Sequence, residues 1–539
     1  MVLLNKTFKI MNENNKNKQA YFVGGGLGSL AGALYLIEDA GFKGENIHII
    51  EALPILGGSN DGSGTKQDGF VCRGGRMLNE ETYENLWELL SRIPSLNVPH
   101  ISVKDEVLAF DHANPTHANA RLINKVGKIL DVHSMGFDNR DRLRLLKLMR
   151  MDEKELENRT IKEWFDDHFF TTNFWYMWQT TFAFQKWSSL LELKRYMNRM
   201  IREFSRIETL AGVTRTPYNQ YESIILPIKK HLEQFNIDYL LRCTVTDLDF
   251  IPGDAITVSA IRYTAAEGNS GSFVLKKGDL CMVTNGCITD NANLGNYHTP
   301  ARYLPNEPVS GVLWSNISRK KPGLGNPAPF FGKPDETKWY SFTATFKDNK
   351  MLKLIEDFSN NKPGSGALMS FVDSSWLMSI VVSAQPHFAA QLEDTTILWG
   401  YGLYPDKIGD YIKKPMIDCT GEEILTELIH HLHFEAYETE IKDTVINVIP
   451  VMMPYVDALF QPRAKSDRPL VVPKGSTNLA FHSQFVEIAD DMVFTEEYSV
   501  RAAKIAVYTL LGIDRKVIPV TPHNKNLAVL LKAVYTAFR

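Results

Sequence analysis

Gly24, Gly26, Gly28 and Ser29 share one short turn, and Glu51 follows about 20 residues further on, the spacing by which a chain holds a dinucleotide. Gly24 permits the tight turn, and Gly26 lets the backbone approach a pyrophosphate. The helix that starts there offers free N–H groups and its positive dipole end to that anion. Glu51 stands where a carboxylate accepts hydrogen bonds from a ribose. The third glycine of the pattern falls on Ser29, with Gly28 beside it. Two later turns extend the same chemistry. Gly57, Gly58 and Ser59 follow the acid at the distance where flavoproteins turn the chain under the cofactor. Arg73-Gly74-Gly75-Arg76, with Met77 next, places two cations around a turn open to a flavin or phosphate.

Such residues need a parallel sheet to hold them. Ala20–Val23 reads as a buried strand, Leu30, Ala33, Leu34 and Ile37 as one face of a helix, and Ile47–Ile50 as the second strand. Asn79 is expected to cap a helix from Glu80 whose apolar face carries Leu86, Leu89 and Leu90. A helix over 224–235 leads to strands near 238–241 and 243–248, the returning piece of such a domain, with Val245 facing the cofactor. The run 281–284 reads as a central strand whose carboxyl end presents Thr284 and Asn285, the edge where open α/β sheets bind ligands. A late helix from Thr495, preceded by Phe494, aims its N-terminus at a flavin. The fold class is therefore α/β: a two-dinucleotide-fold, Rossmann-like FAD domain, a mixed α+β substrate domain and a helical C-terminal tail.

The 539 residues suit two to four domains. The expected division is a disordered lead-in (1–18), cofactor-domain pieces (19–139, 208–300, 441–515), a helical aromatic-rich segment (140–207), a substrate domain (301–440) and an amphipathic tail (516–539). A net charge of -4 argues against bulk electrostatic binding to nucleic acid. Five cysteines, with no C-x-x-C, indicate neither a disulfide framework nor a zinc site and fit a reducing cytoplasm. His430, His431 and His433 are too closely spaced for a helical metal pair, so no metal is expected. No apolar run reaches the roughly 18 residues a bilayer span needs. The aromatic stretch 164–187 reads as a packed helical core, as the wall of a long apolar pocket, or as both. The tail is expected to dock on protein, including a dimer partner, or to lie at a membrane surface.

Taken together, AYFVGGGLGSLAGALYLI, EALPILGGSNDG, RGGRMLNEETYENLWELL, PYNQYES, SAQPHF, WGYGLYPDKIGDYIKKPM and FTEEYSVRAA resemble the oleate hydratases, first described as myosin-cross-reactive antigens. The resemblance runs from about residue 19 to past 510. It implies FAD, addition of water across the cis-9 double bond of an unsaturated free fatty acid (oleate to 10-hydroxystearate), no net redox change and a homodimer. It makes Tyr196 the acid that protonates the alkene. A phenol with pKa about 10 is a weak acid, so Lys194 or Arg195 is expected to favour its phenolate. Where many relatives read R-G-G-R-E, with a glutamate that orients water, this chain has Met77. Glu80 or Glu81, Glu81 first, is the expected replacement. Of four carboxylate-holding positions, Gln220 and His387 match, while Val381 and Ser383 replace a Thr and an Asn, which should alter head-group recognition.

Three functions compete: a hydratase; an FAD-dependent oxidoreductase of the desaturase, isomerase or amine-oxidase kind acting on an apolar substrate; and a non-catalytic, membrane-associated lipid binder. Met77 keeps the second in play.

Overall fold

The computed structural model describes residues 15–539 apart from Asp61, Arg76 and Ala367; Arg76, one of the expected cofactor contacts, therefore lies outside the described residues. Its first layer is a five-stranded parallel sheet in the order Leu479–Phe481, Leu280–Val283, Ala20–Val23, Ile47–Glu51 and Asp238–Leu241. All four residues of Ala20–Val23 are buried, as a strand covered on both faces requires. Phe22 points to the helix side, where its ring fills the space a Cβ on Gly32 would occupy. Tyr21 points to the other side, against His48 of the neighbouring parallel strand and Phe273 of a three-stranded antiparallel ribbon. The helices Leu27–Glu38 and Glu496–Leu511 pack together on the first face.

The second layer is a seven-stranded, mostly antiparallel sheet built around Trp339–Phe346, Thr396–Gly402 and Val445–Met453. Three of its strands, Leu122–Ile123, Asn293–Leu294 and Val445–Met453, come from stretches that the sequence division gave to the cofactor domain. The alternation within a strand is the same in either sheet. Which sheet it joins is decided by pairing partners far away in the chain.

Two local expectations shift. The helix expected from Glu80 begins at Glu84, because Asn79 instead closes a turn, accepting from the Glu81 N–H at 3.2 Å and the Thr82 hydroxyl at 2.8 Å. The helix expected over 224–235 begins as a π-helical turn, Tyr221–Ile225, and continues as Leu226–Glu233. The late helix starts where expected: the Thr495 side chain accepts the Tyr498 N–H and Glu496 opens the helix.

The tail forms the helix Leu527–Phe538, seated through Ala533 and Thr536 and anchored at Arg539, which pairs with Glu208 at 2.6 Å. Leu527, Leu531, Tyr535 and Phe538 face outward. Among the described residues no helix is long and apolar enough to cross a membrane.

Candidate functional site

Three adjoining cavities run through the junction of the two sheets. The first is a groove at the carboxyl ends of the parallel strands. Gly24, Gly26, Gly28, Glu51, Gly58, Ser59, Arg73, Val245 and Thr284 all line it. Gly24 has a φ of 93°, and a Cβ there would fall 2.8 Å from the Thr284 hydroxyl. A Cβ on Gly28 would fall 2.6 Å from the His482 carbonyl, so Gly28 supplies the close helix–strand contact that the pattern gives to its third glycine. Ser29 lies behind the loop, where its hydroxyl donates to the Gly24 carbonyl at 2.5 Å and meets His482 Nε2 at 2.8 Å.

Glu51 accepts the Gly25 N–H at 2.6 Å and the Leu53 N–H at 2.8 Å. Burial raises its pKa, while those backbone bonds and the Arg73 charge pull the other way. Arg73 donates to the Gly58 carbonyl at 2.8 Å, tying two glycine turns together. Asn285 does not reach the groove. It binds the Phe485 carbonyl at 3.1 Å and accepts the Ser483 hydroxyl at 2.5 Å, locking two strand ends.

The second cavity is an apolar chamber walled by Phe182, Trp339, Trp399 and Tyr401, with Tyr196 and Met77 on its lining. Phe494 and Thr495 line this chamber rather than the groove. Gly74 and Gly75 do the same, on a turn moored to the second sheet: Thr345 and Thr343 hydroxyls accept the Phe70 and Cys72 N–H groups, each at 3.0 Å. Both readings of the aromatic stretch hold, since Phe174, Trp175 and Trp178 are core while Thr180, Thr181 and Phe182 face the chamber.

Tyr196 sits on the helix Leu190–Arg199, whose Glu192, Arg195 and Arg199 are buried and ion-paired. Glu192 meets Arg463 at 2.9 Å, Arg195 meets Glu153 at 2.8 Å, and Arg199 meets Asp491 at 3.1 Å. These pairs fix the helix and so aim the phenol. Its ring lies edge-on to Phe184 and Phe460, and its hydroxyl donates to the Val493 carbonyl at 2.5 Å.

The expected phenolate support is absent. Lys194 binds the Met151 carbonyl, and Arg195 is committed to Glu153 and Glu487. Burial instead drives the Tyr196 pKa well above 10, aided by Tyr83 and Glu192. Along a helix, positions i−1 and i−2 leave the face of i, so sequence neighbours of a tyrosine are poor candidates for its partners.

Glu80 and Glu81 also stay outside the chamber lining. Glu81 pairs with Arg202 and Arg206 at 2.7 Å each, and Glu80 lies 3.6 Å from His112. The carboxylates that do face the chamber are Glu203 and Glu496. Glu203 takes Asn79 Nδ2 at 3.0 Å and the Arg206 guanidinium, and burial raises its pKa. Glu496 accepts Asn60 Nδ2 at 2.7 Å. Glu496 was legible in part, because it opens the late helix; Glu203 sits on the short helix Ile201–Phe204, after the break at Met200 that ends the Tyr196 helix.

The third cavity is small and polar. Gln220, Ser383 and His387, the positions that the resemblance gave to carboxylate holding, all line it, together with Arg215, which the sequence reading missed. Gln220 directly precedes the π-helical turn, a local distortion often found at functional sites. Burial and the Arg215 charge hold the His387 pKa down at about 4, so its imidazole is neutral at pH 7. Gly74, Gly75, Met77 and Val381 border both this cavity and the chamber. Ser59, Asn60, Gln484 and Glu496 border both the chamber and the groove.

Residues 17–508 match the model of the MCRA family. The chain belongs to the MCRA family. A linoleate hydratase from Lactiplantibacillus plantarum is 40% identical, over 96% of this chain and 98% of the relative. An oleate hydratase from Streptococcus pyogenes serotype M49 (strain NZ131) is 37% identical, over 97% and 90%. Among solved structures, an oxidoreductase from Methanosarcina mazei is similar with a TM-score of 0.50 at 12% identity, covering 90% of this chain and 99% of that one. A putrescine oxidase redesigned in its cofactor binding gives 0.52 at 11%, covering 92% and 99%. These two likenesses concern the fold. The MCRA-family chain carries a groove, an apolar chamber and a polar cavity that adjoin through shared wall residues.

Proposed function

We propose that this chain is a fatty acid hydratase, a hydro-lyase that adds water across the cis-9 double bond of an unsaturated free fatty acid, as in oleate to 10-hydroxystearate. The observation that carries the reading is the apolar chamber holding Tyr196 between a dinucleotide groove and a polar end. Family membership and two hydratase relatives support it.

The groove fits FAD in its glycines and its acid. Gly24, Gly26, Gly28 and Gly58 leave room for a pyrophosphate, Glu51 suits a ribose, and Arg73, Val245 and Thr284 complete the walls. Water addition changes no overall oxidation state, so a flavin there supplies shape and electrostatics rather than electrons.

The chain's own residues do the rest. The aromatic walls exclude bulk water and hold an alkyl chain. Tyr196 keeps its proton at neutral pH and turns its O–H from the Val493 carbonyl to one alkene carbon. Water adds to the other carbon and gives up a proton to a carboxylate, which restores the phenol. Glu496 takes that role in our reading because it stands where the chamber and the groove meet. Met77 contributes packing to the chamber wall.

The test is incubation of the protein with reduced FAD and oleate or linoleate in oxygen-18 water, without oxygen. Product carrying one heavy oxygen and two added hydrogens, with no net flavin turnover, supports the hydratase. Flavin oxidation that tracks lipid consumption, with no heavy oxygen gained, supports the oxidoreductase. For assembly, homodimer formation and membrane contact both need an apolar face, and the outward side of Leu527–Phe538 offers one. Sedimentation reads the first and liposome flotation the second. Five free cysteines suit a reducing cytoplasm.

A further inference from the structure

A separate group of ionisable side chains lies behind the seven-stranded sheet. In the strand Thr396–Gly402, Trp399 and Tyr401 face the chamber, whereas Leu398 packs with Ile424, Leu425 and Leu428 on the opposite side. Those three belong to the helix Gly421–His431, whose start is fixed by a capping box of Thr420 and Glu423. Glu427 and His431 stand at i and i+4 of this helix, one above the other on a single face. The three closely spaced histidines make no helical metal pair, but this carboxylate and imidazole do.

The loop 403–415 leaves the strand and brings Asp410 to the same place. Glu427 is fully buried and accepts the backbone N–H groups of Asp410, Tyr411 and Ile412 at 2.7, 3.0 and 2.8 Å. Burial pushes its pKa up, but the His431 ring and the backbone donors reverse that and hold it below the usual carboxylate value, so it is ionised. Asp410 accepts the Ser375 N–H at 2.8 Å and the Ser375 hydroxyl at 3.2 Å. His431 is only 5% exposed, with its ring stacked on Phe371, and its Nε2 has no hydrogen-bond partner. That nitrogen lies 3.4 Å from Glu427 Oε1 and 3.8 Å from Asp410 Oδ2. One ligand atom from each of the three residues falls within 4.8 Å of the other two. Two carboxylates and an orphaned ring nitrogen gathered in a buried place are costly unless a cation completes them.

The distances and donor types select the cation. Ligand atoms about 2.1 Å from a tetrahedral ion stand about 3.4 Å from one another, which is the Nε2–Oε1 separation, and Oδ2 needs to close by only a few tenths of an ångström. Imidazole favours zinc and its neighbours over calcium or magnesium, which take oxygen ligands. Two carboxylates also balance a divalent ion. Lys125 lies 3.9 Å from Asp410 Oδ1 but is largely exposed and free to swing away. A second cluster, Asp138, Asp141 and His168, lacks the decisive feature: His168 Nδ1 already meets Asp141 at 2.8 Å.

We propose that Asp410, Glu427 and His431 bind one zinc ion, with water in the fourth position on the partly exposed side of Asp410. The ion clasps the loop 403–415 to the helix and braces from behind the strand that carries Trp399 and Tyr401. It touches no residue of the chamber lining, so its role is structural and independent of the reaction assigned to the chamber.

The test uses the full-length, flavin-loaded protein without an affinity tag. It is stripped with EDTA, dialysed, and titrated with zinc chloride against a chromophoric chelator, with bound metal counted by mass spectrometry. Wild type should take one zinc per chain, and a hundredfold excess over Kd should raise Tm by about 2 °C. Asp410→Asn, Glu427→Gln and His431→Gln should each weaken zinc at least about tenfold, while Asp138→Asn should bind as wild type does. Cobalt(II) in the same place should give the intense visible absorption of a tetrahedral ion. No tight zinc in wild type overturns the proposal and leaves a buried ion-paired histidine. Zinc held equally well by Asp410→Asn, whose side chain sits at the open edge and whose loss spares the fold, overturns it too. Weak, octahedral cobalt absorption overturns the assignment to zinc.

Discussion

Replacing Tyr196 by Phe removes one oxygen and leaves a ring of the same shape among Phe182, Phe184 and Phe460. The structural loss is the 2.5 Å bond to the buried Val493 carbonyl. Leaving such an acceptor unmet costs about 1–3 kcal/mol, or a fall in Tm of a few degrees for a chain of this size. The functional loss is larger. A positioned acid contributes roughly 10²–10⁴-fold, equivalent to about 3–5 kcal/mol on the barrier. The assay is the initial rate of hydroxy-acid formation by gas chromatography, beside a melting curve and calorimetric laurate binding. Tyr196→Phe should lose at least a hundredfold in kcat while melting within a few degrees of wild type and binding laurate normally. A rate within tenfold of wild type would refute the assignment of Tyr196 as the acid. The high pKa adds a second expectation: the phenol holds its proton from pH 6 to 9, so its ionisation should impose no alkaline fall in rate there.

Other residues give sharper tests of the frame. Gly28→Ala would place a Cβ 2.6 Å from the His482 backbone carbonyl, so the purified variant should carry far less flavin absorbance at 450 nm than wild type. Asp290 lines the groove, and burial raises its pKa to about 6. As pH rises through 6 it ionises near Glu51, adding negative charge beside an anionic pyrophosphate. FAD affinity, read by flavin fluorescence, should therefore fall between pH 5 and 7, and Asp290→Asn should flatten that fall. Glu497 is buried with a pKa raised to about 8. A carboxyl whose folded pKa exceeds its unfolded value binds its proton more tightly when folded, so its contribution is full below about pH 4.5 and is lost as pH climbs towards 8. Denaturant midpoints should decline over that window, and less steeply in Glu497→Gln. Glu496→Gln should lower turnover by about 10²-fold or more if that carboxylate accepts the water's proton, while Glu81→Gln should leave it near wild type.

Local signals in the sequence located the groove. A glycine at positive φ, a tight approach of two backbones and a helix N-terminus are set by residues a few positions apart, so Gly24, Gly28 and Glu51 declared themselves. Caps behaved the same way: Thr495 announced its helix. Asn79 misled because the same side chain that caps a helix can close a turn, and only the packing of Trp87, whose indole N–H binds the Asn79 carbonyl at 3.1 Å, selects between them.

What the chain alone determined, then, is the glycine turn, the parallel strands, the aromatic segment and the family. Tertiary structure decided which charges reach the chamber. Lys194 and Arg195 flank Tyr196 in sequence yet point to Met151 and to Glu153 and Glu487. Glu80 and Glu81 follow Met77 yet face histidine and arginines outside the cavity, while Glu496, more than 400 residues away, lines it. The physical reason is that backbone preferences act over a turn or two, whereas the environment of a buried charge is assembled by whichever elements pack around it. Arg215 is the clearest case, for nothing beside it in the sequence marks it as a buried cation in a cavity that adjoins an apolar chamber.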